Sequence, residues 1–425
     1  MIRKILACVA LVLLCASFGL VLGEDTGVIA IKGAKIIPVI GEDIQEGIIL
    51  IKDGKIADIG ANVGIPSGAI SIDAKGLTAY PGMIDSFCYL GLQEIGAVRA
   101  TVDSRETGRF NPQVKAVEAI WPDSMHIPIS RSNGITAAIV VCTGGLISGQ
   151  SGMIRLVGWT PEEMVIKPSV AMYIQFPSIP RFRRQTQTQP REQTSKQIVE
   201  LKDILNRARY YQKRKEAAQK DTHLPLPEFD EKLEFLFPVV NGTLPVMISV
   251  YADKDIQAAI QFVKDEKLKA IFFGVTEGWK VAEDLKKSGI PVVFGSLNAM
   301  PPKWEDGYDS IYRNPGVLAN AGVKFAFSSQ SSSAAKDLPY HAAKAAAFGL
   351  DKKEALKGVT IYPAQIFGVD DMMGSLEKGK VANIVLADGD ILELGTNIKY
   401  VFIDGRQTDL SNRYTELLER YKKRH

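Results

Sequence analysis

Only four histidines occur among the 425 residues: His126, His223, His341 and His425. None stands two, three or four residues from another, so no strand or helix turn carries a histidine pair that could hold a metal ion. Their surroundings point elsewhere. His126 follows Met125 and precedes Ile127-Pro128, a helix-to-strand link, while His223 lies in a polar stretch and His425 is the last residue. His341, after Leu338-Pro339-Tyr340, reads as a capping or packing residue near a helix start. Cys88 and Cys142 sit in apolar, strand-like runs, where a buried inert thiol is the ordinary outcome. An oxidising compartment permits one bridge between them. Hydrolytic chemistry needs a water-activating metal or a nucleophile with its base, and these residues assemble neither. A glycine-serine stretch over residues 144–152 remains, in which Gly149, Gln150 and Ser151 offer backbone amides to an anion. The other reading of that stretch is a tight connection without a ligand.

The elements that must position such groups follow from periodicity. Residues 81–371 alternate apolar runs with helical stretches, the pattern of a parallel α/β arrangement. Runs at 134–143, 169–176, 244–251, 269–275, 291–295 and 323–328 read as strands, and 255–265 and 277–287 carry helical spacing. With the strand that begins at Ala79, this gives seven or eight β/α units, which fits a TIM-type (β/α)8 barrel. The rhythm breaks over 181–234, an insertion with a polar start. There a long helix over 198–218 places Ile198, Leu201, Leu205, Ala208 and Tyr211 near one face. Residues 27–80 form short Ile- and Val-rich strands with a hairpin signal at Asp53-Gly54, and the same texture returns over 372–408 with Asp404-Gly405. The two ends are expected to build one small β-sandwich domain. Residues 409–425 read as a helix capped by Ser411, with Tyr414, Leu417, Leu418 and Tyr421 at helical spacing, which would close the barrel's base or meet another subunit.

A composition of 46% hydrophobic and 23% charged residues suits a globular protein, and a net charge of +3 gives no reason to expect nucleic acid. Arg3 and Lys4 precede an apolar run from Ile5 to Leu22, and Glu24-Asp25 follows. This is a signal-peptide layout over residues 1–23, with Val21 and Gly23 as small residues before a cleavage point. Retention as a membrane anchor and lipidation at Cys15 are the other readings of the segment. The expectation is an exported protein, periplasmic or secreted, touching a membrane only if the leader is kept.

The stretch Pro81-Gly82-Met83-Ile84-Asp85-Ser86-Phe87-Cys88-Tyr89 resembles the Pro-Gly-x-Ile-Asp-x-His-x-His signature of the amidohydrolase superfamily. Ile51-Lys52-Asp53-Gly54-Lys55-Ile56 before it is similar to that family, as is the closing Gly374-Ser375-Leu376-Glu377-Lys378-Gly379-Lys380-Val381-Ala382-Asn383. By texture the nearest members are the imidazolonepropionase-like and dihydroorotase-like proteins, which implies a metal at the barrel mouth and hydrolysis of non-peptide C–N bonds in cyclic amides or N-acyl substrates. Five places depart from that pattern. Phe87 and Tyr89 stand where two metal-binding histidines are implied, Ser249 and Gly274 where the fifth and sixth strands carry histidines, and Gln330 where the eighth carries an aspartate. A phenylalanine cannot ligate, and a neutral amide cannot take a proton from water. Lys167 is the one candidate for a metal-bridging lysine, and Cys88 is expected to face away from the mouth. The resemblance thus implies a divergent member, without metal or other cofactor, in which hydrolysis has been lost. The alternative is an active hydrolase with relocated groups. Phe87, Tyr89, Tyr251 and Phe273 either plug the mouth or, with Gly149, Gln150, Ser151 and His341, line a surviving pocket. Family members commonly pair through barrel faces, which implies a homodimer or a heterodimer with a metal-containing relative.

Overall fold

The computed structural model describes residues 27–178, 189–301 and 303–424. The leader at 1–23, the first residues of the insertion and His425 lie outside them. Five strands open the described chain: β1 (Ile29–Ile36), β2 (Ile44–Lys52), β3 (Lys55–Gly60), β4 (Ile70–Asp73) and β5 (Thr78–Pro81). Eight follow in the middle: β6 (Met83–Cys88), β7 (Ile135–Val140), β8 (Ile147–Arg155), β9 (Val165–Gln175), β10 (Val246–Val250), β11 (Ala270–Gly274), β12 (Val292–Phe294) and β13 (Phe325–Phe327). Three close the chain: β14 (Ile384–Ala387), β15 (Ile398–Ile403) and β16 (Arg406–Gln407). The helices used below are α1 (Gln189–Lys220), α2 (Asp253–Glu266), α3 (Ala282–Ser288), α4 (Ser310–Ala321), α5 (Leu338–Ala347), α6 (Lys352–Lys357), α7 (Ile361–Ile366) and α8 (Arg413–Lys422).

Both chain ends share one sheet, in the order β16-β15-β14-β5-β1-β2-β3, with β4 paired to β1. Its core is aliphatic: Ile31, Ile36, Ile49, Ile51, Ile56, Ile384, Leu386 and Phe402 are buried together. Two Asp-Gly turns hold the ends against each other. Asp53-Gly54 and Asp404-Gly405 all have positive φ, as a two-residue hairpin turn of the mirror-image type requires. A Cβ on Gly405 would stand 2.7 Å from the Cα of Gly54, so the turns touch backbone to backbone and only glycine fits there.

The remaining eight strands form a nearly closed barrel, in the order β13-β12-β11-β10-β9-β8-β7-β6. The strand count agrees with the expected barrel, and one strand departs from it: β8 runs antiparallel to both β7 and β9. Residues 147–152 of the glycine-serine stretch belong to this strand, and 144–146 form the turn before it. Gly144 and Gly145 reverse the chain with positive φ, and so short a reversal leaves no room for the crossover helix that a parallel neighbour needs. Low β propensity hid the strand in the sequence. Outside the strands, α1 is longer than expected and buries Leu201, Ile204, Leu205, Ala208 and Tyr211. The cap of α8 is Asn412, in a reciprocal box with Thr415, whereas Ser411 turns back to Asp409. Helix α8 buries none of its residues, and α7 contributes Ile361 and Ala364 to the lumen cluster. Among the described residues no helix is long and apolar enough to cross a membrane.

Strands β13 and β6 are not joined by a ladder, and the seam between them is closed by Asp85. Its Oδ1 accepts from the backbone N–H of Ser329 at 3.0 Å and of Phe87 at 3.2 Å, and its Oδ2 accepts from the Ser329 hydroxyl at 2.5 Å. Backbone bonds from Gln330 to Phe87 and from Tyr89 to Ser331 continue the closure. Complete burial pushes the Asp85 carboxyl up to about 7, against the opposing pull of these donors. The unfolded chain releases this proton near pH 4, so between roughly pH 4 and pH 7 the folded state binds more protons than the unfolded one. The resulting stabilisation is complete below about pH 4 and is lost as pH rises through about 7. Urea unfolding at pH 5 and pH 8 tests this. Asp85→Asn keeps the acceptor without a charge to desolvate, and it should remove a pH dependence of order 1–4 kcal/mol. An unchanged difference between the two pH values in the variant would exclude Asp85 as its source.

Candidate functional site

Side chains alternate across each barrel strand, and the inward set forms a cluster of its own that includes Ile84, Phe87, Ile139, Met153, Ala171, Tyr173, Met247, Ile271, Phe273 and Val293. Toward the strand ends that form the mouth, this set becomes aromatic. Phe87 of β6 and Phe273 of β11 stack face to face, with centroids 3.9 Å apart and planes inclined by 11°. Tyr89 and Tyr173 meet Phe87 edge-on at 5.7 and 5.5 Å, and Tyr251 meets Phe273 at 6.4 Å. Both phenylalanines are fully buried. The sequence reading anticipated four of these rings and missed Tyr173. The signal was present, because alternation along 169–176 puts residues 171 and 173 on one face.

The five departing positions come together around this stack. Ser249 pairs in register with Phe273, and its side chain opposes the upward shift that burial gives the Tyr173 phenol. Gly274 has φ +95°, and a Cβ there would lie 2.5 Å from Cε1 of Tyr251. The ring of Tyr251 therefore occupies the space that a side chain at 274 would need. Gln330 has φ +55°, donates its backbone N–H to the Phe87 carbonyl at 2.9 Å, and accepts from the Ser296 N–H through Oε1 at 3.3 Å. Burial raises all three phenols. Tyr89 is pushed up to about 12, while Tyr173 and Tyr251 are raised by the same cause; the proximity of Tyr251 adds to the shift at Tyr89 and Tyr173. All three hydroxyls stay neutral at any ordinary pH.

The other candidates disperse. The amides of the glycine-serine strand are already committed: Leu146 and Ile147 donate to the Arg109 carbonyl, and Gln150 donates to that of Val114. The Gln150 amide also bonds Pro112 and Ser169, so neither it nor Gly149 is a free anion cradle. The hydroxyls of Ser148 and Ser151 are buried without a protein partner. His341 on α5 accepts the Leu297 N–H at Nδ1, and burial pushes it down to about 4, so it is a neutral packing residue. His126 bonds the Glu94 carbonyl, and His223 lies exposed beyond α1. Lys167 donates to the Phe367 carbonyl and sits six residues before Tyr173 on β9, roughly 20 Å along the strand from the mouth. Cys88 points to the outer layer as expected, and burial raises its thiol well above the ordinary range; Cys142 is also unbridged.

A divalent metal at the mouth needs three or four N, O or S donors converging on one point. Two stacked phenyl rings, a glycine under a tyrosine ring, a serine and an amide already engaged do not fit that demand. Among the described residues no three His, Cys, Asp or Glu side chains gather elsewhere into such a group.

Comparison with known proteins agrees with the fold. The sequence model of the Amidohydrolase family matches residues 252–408. The chain is 19% identical over 403 residues to Amidohydrolase tasK of Hapsidospora irregularis, covering 84% of this chain and 39% of that protein. It is 35% identical over 82 residues to an adenine deaminase of Desulforamulus reducens, covering 19% of this chain and 13% of the deaminase. The chain thus spans well under half the length of either relative. An amidohydrolase structure from Thermotoga maritima MSB8 superposes with a TM-score of 0.81 at 25% identity, covering 90% of this chain and 99% of that one.

If the stack is a packing element, truncating it opens a cavity at the top of the lumen. Phe87→Ala and Phe273→Ala should each lower stability by about 3–5 kcal/mol in urea unfolding, whereas Phe87→Leu should cost under about 2 kcal/mol. A loss below about 1 kcal/mol for Phe87→Ala would mean the ring is not integral to the core.

Proposed function

We propose that this chain, which belongs to the amidohydrolase superfamily, has kept the barrel, lost metal-dependent hydrolysis, and acts outside the cytoplasm as a partner subunit. Its partner would be a second copy or a metal-containing relative. The Phe87–Phe273 stack carries this reading, because it fills with carbon the volume where ligands would have to converge. Gly274 under Tyr251, and Gln330 held by Ser296, support it from two other strands. The fully buried carboxyl of Asp85 on β6 directs its hydrogen bonds to the seam. The leader-like run from Ile5 to Leu22 supports export.

A second reading, a binding protein that retains a ligand at the mouth, is favoured by one observation. Tyr89 and Tyr251 are only partly buried, and with Tyr173 they bring three neutral hydroxyls together above the stack. Cyclic amides and N-acyl amino acids are the ligands to try by thermal shift, where a bound ligand raises the melting temperature.

The deciding measurement is elemental analysis of the purified chain after expression with zinc, iron and manganese supplied, together with hydrolysis assays on the same amides. The expected result is far less than one metal per chain and no turnover. Stoichiometric metal that disappears in a mouth variant such as Tyr89→Ala would overturn the reading in favour of an active hydrolase with relocated ligands. Native co-purification tests the subunit role, and recovery only as an isolated monomer would remove it.

A further inference from the structure

A cleft of about 390 Å³ lies where the β-rich domain meets α6, away from the barrel mouth. Its floor is apolar. Ile37 and Val39 contribute from the turn after β1, with Tyr80 from β5, Leu356 from α6 and Leu392 from the segment after β14. That volume is at the lower end of what small-molecule sites occupy. Val39 is held at φ +72°, a conformation that a β-branched residue avoids, and its side chain stays partly buried against the lumen cluster. Such an outlier persists only where the surroundings enforce it, and strained positions gather at binding sites.

The polar groups around the floor sort into those already satisfied and those left over. Lys352 bridges Asp390 at 2.8 Å and Glu393 at 3.0 Å, and Lys357 pairs with Glu354 at 2.9 Å. Asp351 accepts the first backbone N–H groups of α6, and the Tyr80 hydroxyl donates to the Gly389 carbonyl. Among the described residues, two lining charges of opposite sign have neither an ion pair nor a side-chain hydrogen bond, the carboxylate of Asp43 and the ammonium of Lys353, whereas Asp351 is engaged as the cap of α6. We propose that this cleft binds a small zwitterion with an apolar body, of the free amino acid class. Lys353 takes the ligand carboxylate, Asp43 takes its ammonium, and the apolar side chain lies on Ile37, Val39 and Leu356. A simple fatty anion would leave Asp43 facing a like charge, and an amine would leave Lys353 so.

L-leucine is the probe, titrated into the full-length protein with methyl NMR of isoleucine, leucine and valine as the readout. Saturable shifts at Ile37, Val39 and Leu356 are expected, with a dissociation constant in the millimolar range or tighter. Isocaproate lacks the ammonium and leucinamide lacks the carboxylate, and each should bind at least about tenfold more weakly, the factor expected from losing one charge-assisted contact. Asp43→Asn and Lys353→Met, both at exposed positions, should cost a similar factor. No methyl shift at about 10 mM leucine, a concentration that would reveal even weak binding, or isocaproate binding as well as leucine, would overturn the proposal. Neither result depends on what occupies the barrel mouth.

Discussion

Closing a sheet on itself is the constraint from which the rest of this structure follows. Eight strands bring their inward side chains to one axis, and the last pair must meet without a full ladder between them. Asp85 supplies the missing connection. A carboxyl taken wholly out of water is costly, and three donors from Ser329 and Phe87 offset part of that cost. Because the seam sets the height of β6 against β13, it also sets where Phe87 stands relative to Phe273 across the lumen. The aromatic stack is thus a consequence of closure as well as a contribution to it.

On the proposed reading, loss of a metal site leaves a physical problem that substitution of ligands alone does not solve. Ligand side chains and their ion fill space, and removing them would leave a polar void at the top of the barrel. Here the space is taken by rings: Phe87 against Phe273, Tyr89 and Tyr173 at their edges, Tyr251 over Gly274. Each ring excludes water from the next. The phenol hydroxyls that remain are neutral under all ordinary conditions, and the Gln330 amide is engaged by the Ser296 N–H. Ser148 and Ser151 keep two buried hydroxyls that the packing does not match with an acceptor among the described residues.

Much of this was legible in the chain itself, for physical reasons. Asp53-Gly54 and Asp404-Gly405 announce mirror-image hairpin turns because few other pairs tolerate positive φ at both positions. The barrel strands from β9 onward are β-branched and aromatic, so their pattern reads directly. Strand β8 was illegible because Ser148, Gly149, Ser151 and Gly152 have little strand propensity, and its direction is decided by Gly144-Gly145 and by pairing with distant neighbours. Phe87 and Tyr89 could be placed from their spacing. What they face could not, since Tyr173 and Phe273 reach them only through the closure of the sheet. Ser411 was read as the cap of α8 from type alone, and Asn412 took the role because its side chain reaches two N–H groups while Ser411 bonds Asp409.

On the proposed reading, the packing also bears on whether such a change could be reversed. A histidine at 274 would drive its Cβ into the Tyr251 ring at 2.5 Å, so position 274 cannot recover a ligand unless 251 changes first. A histidine at 87 would give up a stacked contact with Phe273 and bury an imidazole where its neighbours offer hydroxyls and rings, with no partner ligand within the same layer. Gln330 would need both a carboxylate and release from Ser296. Each single step back therefore loses stability before any ligand geometry exists to compensate, since one donor does not hold a metal. Substitutions that are coupled through a shared contact are not additive, and here the coupling runs through Phe273 and Tyr251, which a ligand-by-ligand comparison does not count.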